Sequence, residues 1–170
     1  MQKILFLDFD GVLNASDHIA RLRRSGNPLS DRFGYRFDPQ SVARLKRIIE
    51  RTEGAIVISS SWKLEGLARM REMWRERQMP GQLLDITPSY AECMDSIDPG
   101  NSDSFVGKGH EIRSWLRRSS QPGCRYAILD DEPDILAAQR PYFVRTDPQY
   151  GITEEDALRV IAILNNESEK

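Results

Sequence analysis

The segment Lys3–Val12 reads KILFLDFDGV, and it decides the fold of this chain. Its apolar run Ile4–Leu7 has the length of a strand and is followed at once by Asp8 and Asp10. A strand that is apolar on both faces is typical of a parallel sheet covered on both sides. Ligands of such sheets gather where the strands end. The segment therefore predicts a buried first strand that delivers two carboxylates to one rim.

Strands and helices alternate along the rest of the chain. Apolar runs predict buried strands at Ala55–Ile58 and Arg125–Leu129, and a further strand at Leu83–Ile86. Asp38 followed by Pro39 predicts a helix start, because Asp caps helices and Pro suits the first helical position. This alternation predicts an α/β fold with a central parallel sheet between two layers of helices.

Local signals predict three more helices. Apolar periodicity predicts one over Leu64–Gln78, and a short one is predicted over Pro133–Gln139. Thr153 and Asp156 have the spacing of a capping box, which predicts the start of a final helix.

The length of 170 residues suits one domain. We assign residues 1–165 to it and expect a frayed tail at 166–170. Residues 14–38 are long enough for a small cap or flap over a site, and residues 87–107 are expected to form a loop insertion. Neither segment is large enough for a folded cap domain.

Charge and composition exclude some classes of protein. Lys and Arg number 24 against 26 Asp and Glu, so the chain is not a binder that relies on overall positive charge. Between Arg21 and Arg77, however, 14 basic residues face 7 acidic ones. This excess indicates either solvated helix faces or a polyanionic substrate nearby. No apolar run is long enough to span a membrane, and two cysteines suggest reduced thiols and a cytoplasmic location.

The acids that follow the strands predict a metal site. Asp8 and Asp130 would lie close together, and two like charges at that distance require a cation. Oxygen ligands without His or Cys indicate Mg²⁺. Asp8 could then attack phosphorus as a nucleophile, while Asp10 protonates the leaving oxygen and later activates water.

Further polar residues are candidates for phosphate binding. Ser59 follows the second buried strand, and Lys108 begins the helix before the strand Arg125–Leu129; both could hold phosphoryl oxygens. Three serines in a row leave Ser59 and Ser60 as alternatives, and Lys63 is a further phosphate contact. We also place Gly11 at the substrate, because its freedom permits the sharp turn that frees the Asp10 side chain.

Other site chemistries fit poorly. The serines lack the G-x-S-x-G pattern of hydrolase nucleophiles, and the cysteines lack zinc spacing. We expect His18 and His110 to be solvated. Trp62 adjoins the serines, so it is the tryptophan to examine for a role at the site.

Taken together, these residues resemble the four motifs of the haloacid dehalogenase-like phosphohydrolases. Motif one corresponds to Asp8-Phe9-Asp10-Gly11-Val12, motif two to Ser59, motif three to Lys108 and motif four to Asp130-Asp131. The resemblance implies a Rossmann-like three-layer αβα sandwich with no large cap domain. It also implies Mg²⁺ bound by the Asp8 carboxylate, the Asp10 main-chain carbonyl, and Asp130 or Asp131.

A narrower resemblance is carried by the strings FLDFDGVLN, IVISSSW, KGHEIRSWL and AILDDEPD. They are similar to a small subfamily of bacterial and phage RNA-repair proteins, which is related to the phosphatase half of polynucleotide kinase–phosphatase. Lys63 departs from the Arg that usually follows SSSW in that subfamily.

The resulting expectation is a Mg²⁺-dependent phosphatase that forms an aspartyl-phosphate and acts on a phosphorylated polynucleotide end. A separate kinase or ligase could be its partner. A small-metabolite or nucleotide phosphatase is the first alternative, and a non-catalytic phosphate-binding or regulatory module is the second. The oligomeric state does not follow from the sequence.

Overall fold

The computed structural model describes residues 1–93, 107–119 and 123–166. The strands are β1 (Lys3–Leu7), β2 (Ser30–Asp31), β3 (Gly34–Tyr35), β4 (Ala55–Ile58), β5 (Leu83–Ile86), β6 (Arg125–Asp130) and β7 (Phe143–Arg145). The α-helices are α1 (Ser16–Arg24), α2 (Pro39–Thr52), α3 (Leu67–Glu76), α4 (Tyr90–Cys93), α5 (Gly107–Arg118) and α6 (Glu154–Asn165). Two 3₁₀ helices cover Ser61–Glu65 and Ala137–Tyr142.

A five-stranded parallel sheet with the order β5-β4-β1-β6-β7 forms the centre of the fold. Side chains of β1 alternate between its two faces. Leu5 and Leu7 pack into the core beneath α2, α3 and α6, whereas Ile4 and Phe6 pack on the opposite face against α5. The chain therefore has the predicted α/β three-layer architecture, with β1 buried in the middle of the sheet.

Residues 14–38, the predicted cap or flap, contain α1 and the hairpin β2–β3. Ion pairs attach the hairpin to the α3 region: Arg32 binds Glu72 at 2.9 Å, and Asp31 binds Arg77 at 2.7 Å. The hairpin thus lies beside the sheet on an adjacent helix.

Local helix signals had mixed success. Asp38 caps α2 by accepting a hydrogen bond from the Gln40 N–H, and the capping box of Thr153 opens α6, as predicted. The helix predicted over Leu64–Gln78 is interrupted at Gly66, whose φ of 89° ends the 3₁₀ turn before α3 begins.

The helix predicted over Pro133–Gln139 was wrong. Residues 133–136 are not helical, and a 3₁₀ helix covers Ala137–Tyr142 instead. Asp134 uses both its carboxylate and its carbonyl to cap the start of α5, a long-range role that local periodicity does not reveal.

Two predicted irregular segments fall partly outside the described residues. The loop insertion at 87–107 contains α4 and ends where α5 begins, but its residues 94–106 are not described. The predicted tail begins at Asn166, which caps α6, and residues 167–170 lie outside the described part. None of the described helices combines the length and hydrophobicity needed to cross a bilayer.

Candidate active site

Three carboxylates meet at the C-terminal ends of β1 and β6. Asp8 follows β1, Asp130 is the last residue of β6, and Asp131 comes next. One carboxylate oxygen of each lies within 4.8 Å of the others. The Asp8 N–H donates to the Leu129 carbonyl at 3.1 Å, so pairing of the two strands continues up to the acids. Adjacent parallel strands therefore bring together residues that are more than 120 positions apart.

Lys108 supplies the cation that faces this group. Its ammonium donates to Asp8 Oδ2 at 2.8 Å and to Asp130 Oδ2 at 2.6 Å. Burial by itself would lower the pKa of Lys108, but the Asp130 and Asp8 carboxylates outweigh it and raise this pKa above its usual value. Lys108 is therefore held in its charged form.

The start of α5 is fixed so that Lys108 reaches the acids. The Lys108 N–H donates to Asp134 Oδ2 and the Gly109 N–H to the Asp134 carbonyl, both at 2.9 Å. A Cβ at position 109 would lie 2.6 Å from the Leu136 nitrogen, so only glycine permits this approach. Asp134 thus acts on the site indirectly, by anchoring the helix that carries Lys108.

One ammonium does not balance three carboxyl groups. Burial, reinforced by the charge of Asp8, raises the pKa of Asp130 well above its ordinary value, and the same two causes raise that of Asp131. The group is therefore short of positive charge. Its donors are all carboxylate oxygens, which fits a hard divalent cation such as Mg²⁺.

Asp10 lies next to this group with its own set of partners. Its side chain is exposed, with Oδ1 accepting from Asn14 Nδ2 at 2.6 Å and Oδ2 accepting from Trp62 Nε1 at 3.0 Å. Its carboxylate is not part of the three-carboxylate group. The structure therefore separates Asp10 from the acids that could share a cation.

Gly11 makes the turn between the two aspartates, as predicted. Its φ is +69°, and a Cβ there would lie 2.5 Å from Asp131 Oδ2. Its carbonyl accepts from the Thr146 hydroxyl at 3.0 Å, which ties the turn to the segment after β7. Both the backbone conformation and the space require glycine at this position.

The two candidate serines have different surroundings. The Ser59 N–H donates to the Leu7 carbonyl at 2.9 Å, which places Ser59 beside Asp8, and its hydroxyl is buried with no hydrogen-bond partner. Ser60 is also buried, but its hydroxyl caps the following 3₁₀ turn through the Trp62 N–H. An orphaned buried hydroxyl is unfavourable unless a ligand satisfies it, so Ser59 is the better candidate for phosphate binding.

Lys63 has partners outside the acid group. Its buried ammonium donates to Thr87 Oγ1 at 2.9 Å and forms an ion pair with Glu111. This pair joins the serine turn to α5, one turn beyond Lys108. Direct phosphate binding by Lys63 stays a prediction, because it would require the buried pair to open.

Some residues at the site carried no usable sequence signal. Asn14, Glu111 and Asp134 bond to predicted site residues or to the elements that carry them, but single polar residues of this kind are common in any chain. The expectation that His18 and His110 are solvated was wrong, since both are buried. Arg113 Nη2 lies 2.7 Å from His110 Nδ1, and His18 packs beside Asp38.

Comparisons with known proteins gave one match. The family model described as the HAD domain in Swiss Army Knife RNA repair proteins matches residues 4–157, which include all of the predicted site residues. Neither the curated proteins nor the solved structures gave a match.

Proposed function

Because the chain belongs to the family of HAD domains in Swiss Army Knife RNA repair proteins, we propose that it is a Mg²⁺-dependent phosphatase acting on phosphorylated polynucleotide ends. The observation that carries the proposal is the convergence of Asp8, Asp130, Asp131 and Lys108 on one rim of the sheet. A phosphoryl group placed there would meet a nucleophilic carboxylate, an ammonium and a set of cation ligands.

Asp8 is the nucleophile in this proposal. Its Oδ1 accepts from the Phe9 N–H at 2.7 Å and its Oδ2 from Lys108, so the carboxylate is held in one orientation. One of its oxygens forms a bond to phosphorus as the bond from phosphorus to the leaving oxygen breaks, which gives an aspartyl-phosphate. Mg²⁺ held by Asp8, Asp130 or Asp131 and the Asp10 carbonyl would offset the negative charge of the phosphoryl group.

Asp10 transfers the protons. In the first step its carboxyl gives a proton to the leaving oxygen, so the alcohol departs neutral. In the second step the Asp10 carboxylate takes a proton from water as that water attacks the phosphorus of the aspartyl-phosphate. Inorganic phosphate leaves, and the Asp8 carboxylate is restored.

Ser59 and Lys108 hold the phosphoryl oxygens. The Ser59 hydroxyl lies beside Asp8 without a partner, and the Lys108 ammonium already bridges Asp8 and Asp130. Donors fixed in advance stabilise the transition state without reorganisation during the reaction. Ser60, Gly11 and Lys63 shape the same turn and the loop beside it.

Two features bear on the substrate. The family description, RNA repair, supports a polynucleotide end. The arrangement of residues 14–38 supports the alternative of a small metabolite or nucleotide, because Asn14 contacts Asp10 and the hairpin borders the site through Trp62. The basic excess between Arg21 and Arg77 favours neither, since Arg32, Arg69 and Arg77 are paired with acids.

The first test measures turnover of 4-nitrophenyl phosphate with Mg²⁺. We expect Asp8→Asn to lower kcat by at least about 10³-fold, because the covalent route is lost. Asp31→Asn is the matched control, since it makes the same change in the hairpin and should keep the wild-type rate. Equal rates for wild type and Asp8→Asn would reject Asp8 as nucleophile, and no wild-type turnover would favour a phosphate-binding module.

The second test addresses the substrate class. Oligonucleotides with a 3′- or 5′-phosphate are compared with a panel of sugar phosphates and mononucleotides by their kcat/KM values. We expect an oligonucleotide end to give the highest value. A small phosphate with the highest value would reject the polynucleotide proposal and leave the phosphatase proposal intact.

A further inference from the structure

We propose that Trp62 is a positioning residue that holds the Asp10 carboxylate for proton transfer, and that the hairpin β2–β3 holds Trp62 in turn. This inference rests on the proposed phosphatase function and assigns a role to a residue outside the four motifs. Its basis is the geometry around Asp10.

Asp10 is exposed, so packing does not restrict its side chain. Two hydrogen bonds do so instead, from Asn14 Nδ2 to Oδ1 at 2.6 Å and from Trp62 Nε1 to Oδ2 at 3.0 Å. Hydrogen bonds to an ionised acceptor are stronger than neutral ones. With one donor on each oxygen, the plane of the carboxylate is defined. Asn14 is four residues from Asp10, whereas Trp62 reaches it from beyond another strand.

The indole is itself held in place on several sides. Its ring packs edge-on against Phe9 with centroids 5.4 Å apart and lies 5.8 Å from the Phe37 ring. At its far end the six-membered ring touches Gly34 of the hairpin. A Cβ on Gly34 would lie 2.7 Å from Trp62 Cη2, and the φ of +125° also favours glycine there. The hairpin therefore sets how far the indole extends toward Asp10.

The hairpin is fastened from below by Arg77. Its Nη2 donates to Asp31 Oδ1 at 2.7 Å and to the Gly34 carbonyl at 3.2 Å. The same guanidinium lies 4.3 Å from the centroid of the Phe37 ring and 5.7 Å from that of the Trp62 ring. A continuous set of contacts thus runs from the residue after α3, through the hairpin and the indole, to the proposed acid.

Positioning of this kind affects one step in a recognisable way. When the leaving group is a poor one, the alcohol oxygen needs the Asp10 proton as its bond to phosphorus breaks, whereas a nitrophenolate leaves without it. The value of kcat/KM reports phosphoryl transfer to Asp8 and is insensitive to later hydrolysis of the aspartyl-phosphate. The dependence of kcat/KM on the leaving group therefore measures how well Asp10 is placed.

The experiment measures kcat/KM for a series of substituted phenyl phosphates and for an aliphatic phosphate that the wild type turns over. For Trp62→Phe, which keeps an aromatic ring but removes the N–H, we expect about a 10- to 100-fold loss on the aliphatic phosphate and at most about a 3-fold loss on 4-nitrophenyl phosphate. A plot of log kcat/KM against the pKa of the leaving alcohol should therefore become steeper.

Trp74→Phe is the matched control. Trp74 belongs to the same core cluster, and its N–H likewise donates one hydrogen bond, to the Gly81 carbonyl at 3.2 Å. This variant should keep the wild-type slope even if it is less stable. Gly34→Ala is the second test variant, because it retains the indole N–H but displaces the ring, and it should steepen the slope in the same direction.

Two results would overturn the inference. If Trp62→Phe lowers kcat/KM by the same factor for every leaving group, Trp62 is only structural; if it lowers none, the hydrogen bond has no function. Failure of the proposed function is distinguishable, since the wild type itself would then not turn over any of these phosphates.

Discussion

The acids at the ends of β1 and β6 and the acids around the hairpin β2–β3 meet cations in different proportions. In the strand-end cluster (Asp8, Asp130, Asp131 and Lys108), one ammonium faces three carboxyl groups, and burial raises the pKa values of Asp130 and Asp131.

In the hairpin cluster (Asp31, Arg32, Glu72, Glu76 and Arg77), each acid has an arginine partner at the surface. Partial burial would raise the pKa of Asp31, but its hydrogen bonds from Arg77 outweigh this and lower it. Hydrogen bonds from arginines also lower the pKa of Glu72 and Glu76.

The difference separates a site prepared for a ligand from a surface that is complete. Surface pairs contribute little to stability and require no further partner. A buried surplus of negative charge is unfavourable and is tolerated where a bound cation or substrate compensates it. The clusters contain similar residue types, so burial and stoichiometry make the distinction.

The largest expected effect comes from removing the cation of each cluster. Lys108→Met leaves three buried acids without a partner, and we expect a loss of about 3 to 5 kcal/mol in the free energy of unfolding at pH 8 without metal. Arg32→Met in the hairpin cluster should change stability far less. Urea denaturation in EDTA measures both, and similar losses in the two variants would contradict the comparison.

A smaller effect is expected from adding Mg²⁺. A cation that binds only the folded state stabilises it by about 2.7 kcal/mol when its concentration is 100 times its dissociation constant. We expect Mg²⁺ to raise the Tm of the wild type and of Asp31→Asn alike, and to raise that of Asp131→Asn less. Equal shifts in all three proteins would exclude the strand-end cluster as the binding site.

The smallest effect is the pH dependence of stability in EDTA. The folded pKa of Asp130 is raised above its ordinary 3.8, so the folded state retains a proton that the unfolded chain releases above this pH. The wild type should therefore lose stability relative to Asp130→Asn as pH rises above 3.8, by at most about 1.4 kcal/mol per pH unit.

For Asp31 the sign is reversed. Its folded pKa is lowered, so the stability it contributes is present above 3.8 and is lost as pH falls through the folded pKa. Relative to Asp31→Asn, the wild type should lose stability toward acid pH. Slopes of the same sign for the two comparisons would show that the clusters do not differ electrostatically.

Much of the fold was predictable because its signals are local. The apolar run of β1, the strands Ala55–Ile58 and Leu83–Ile86, and the caps of α2 and α6 each depend on a few consecutive residues, and the structure has them where predicted. Local signals failed at residues 133–136, where the backbone is shaped by the start of α5, some 25 residues earlier in the chain.

The sequence by itself determined which acids end the strands, because hydrophobic periodicity and the order of motifs are properties of the chain alone. Only the tertiary structure decided their partners. It paired Lys108 with two acids, left the Ser59 hydroxyl without a partner, engaged Lys63 with Glu111 and brought Trp62 to Asp10. These contacts join residues 24 to 100 positions apart or more, and their distances and burial arise only when separate elements pack around one sheet.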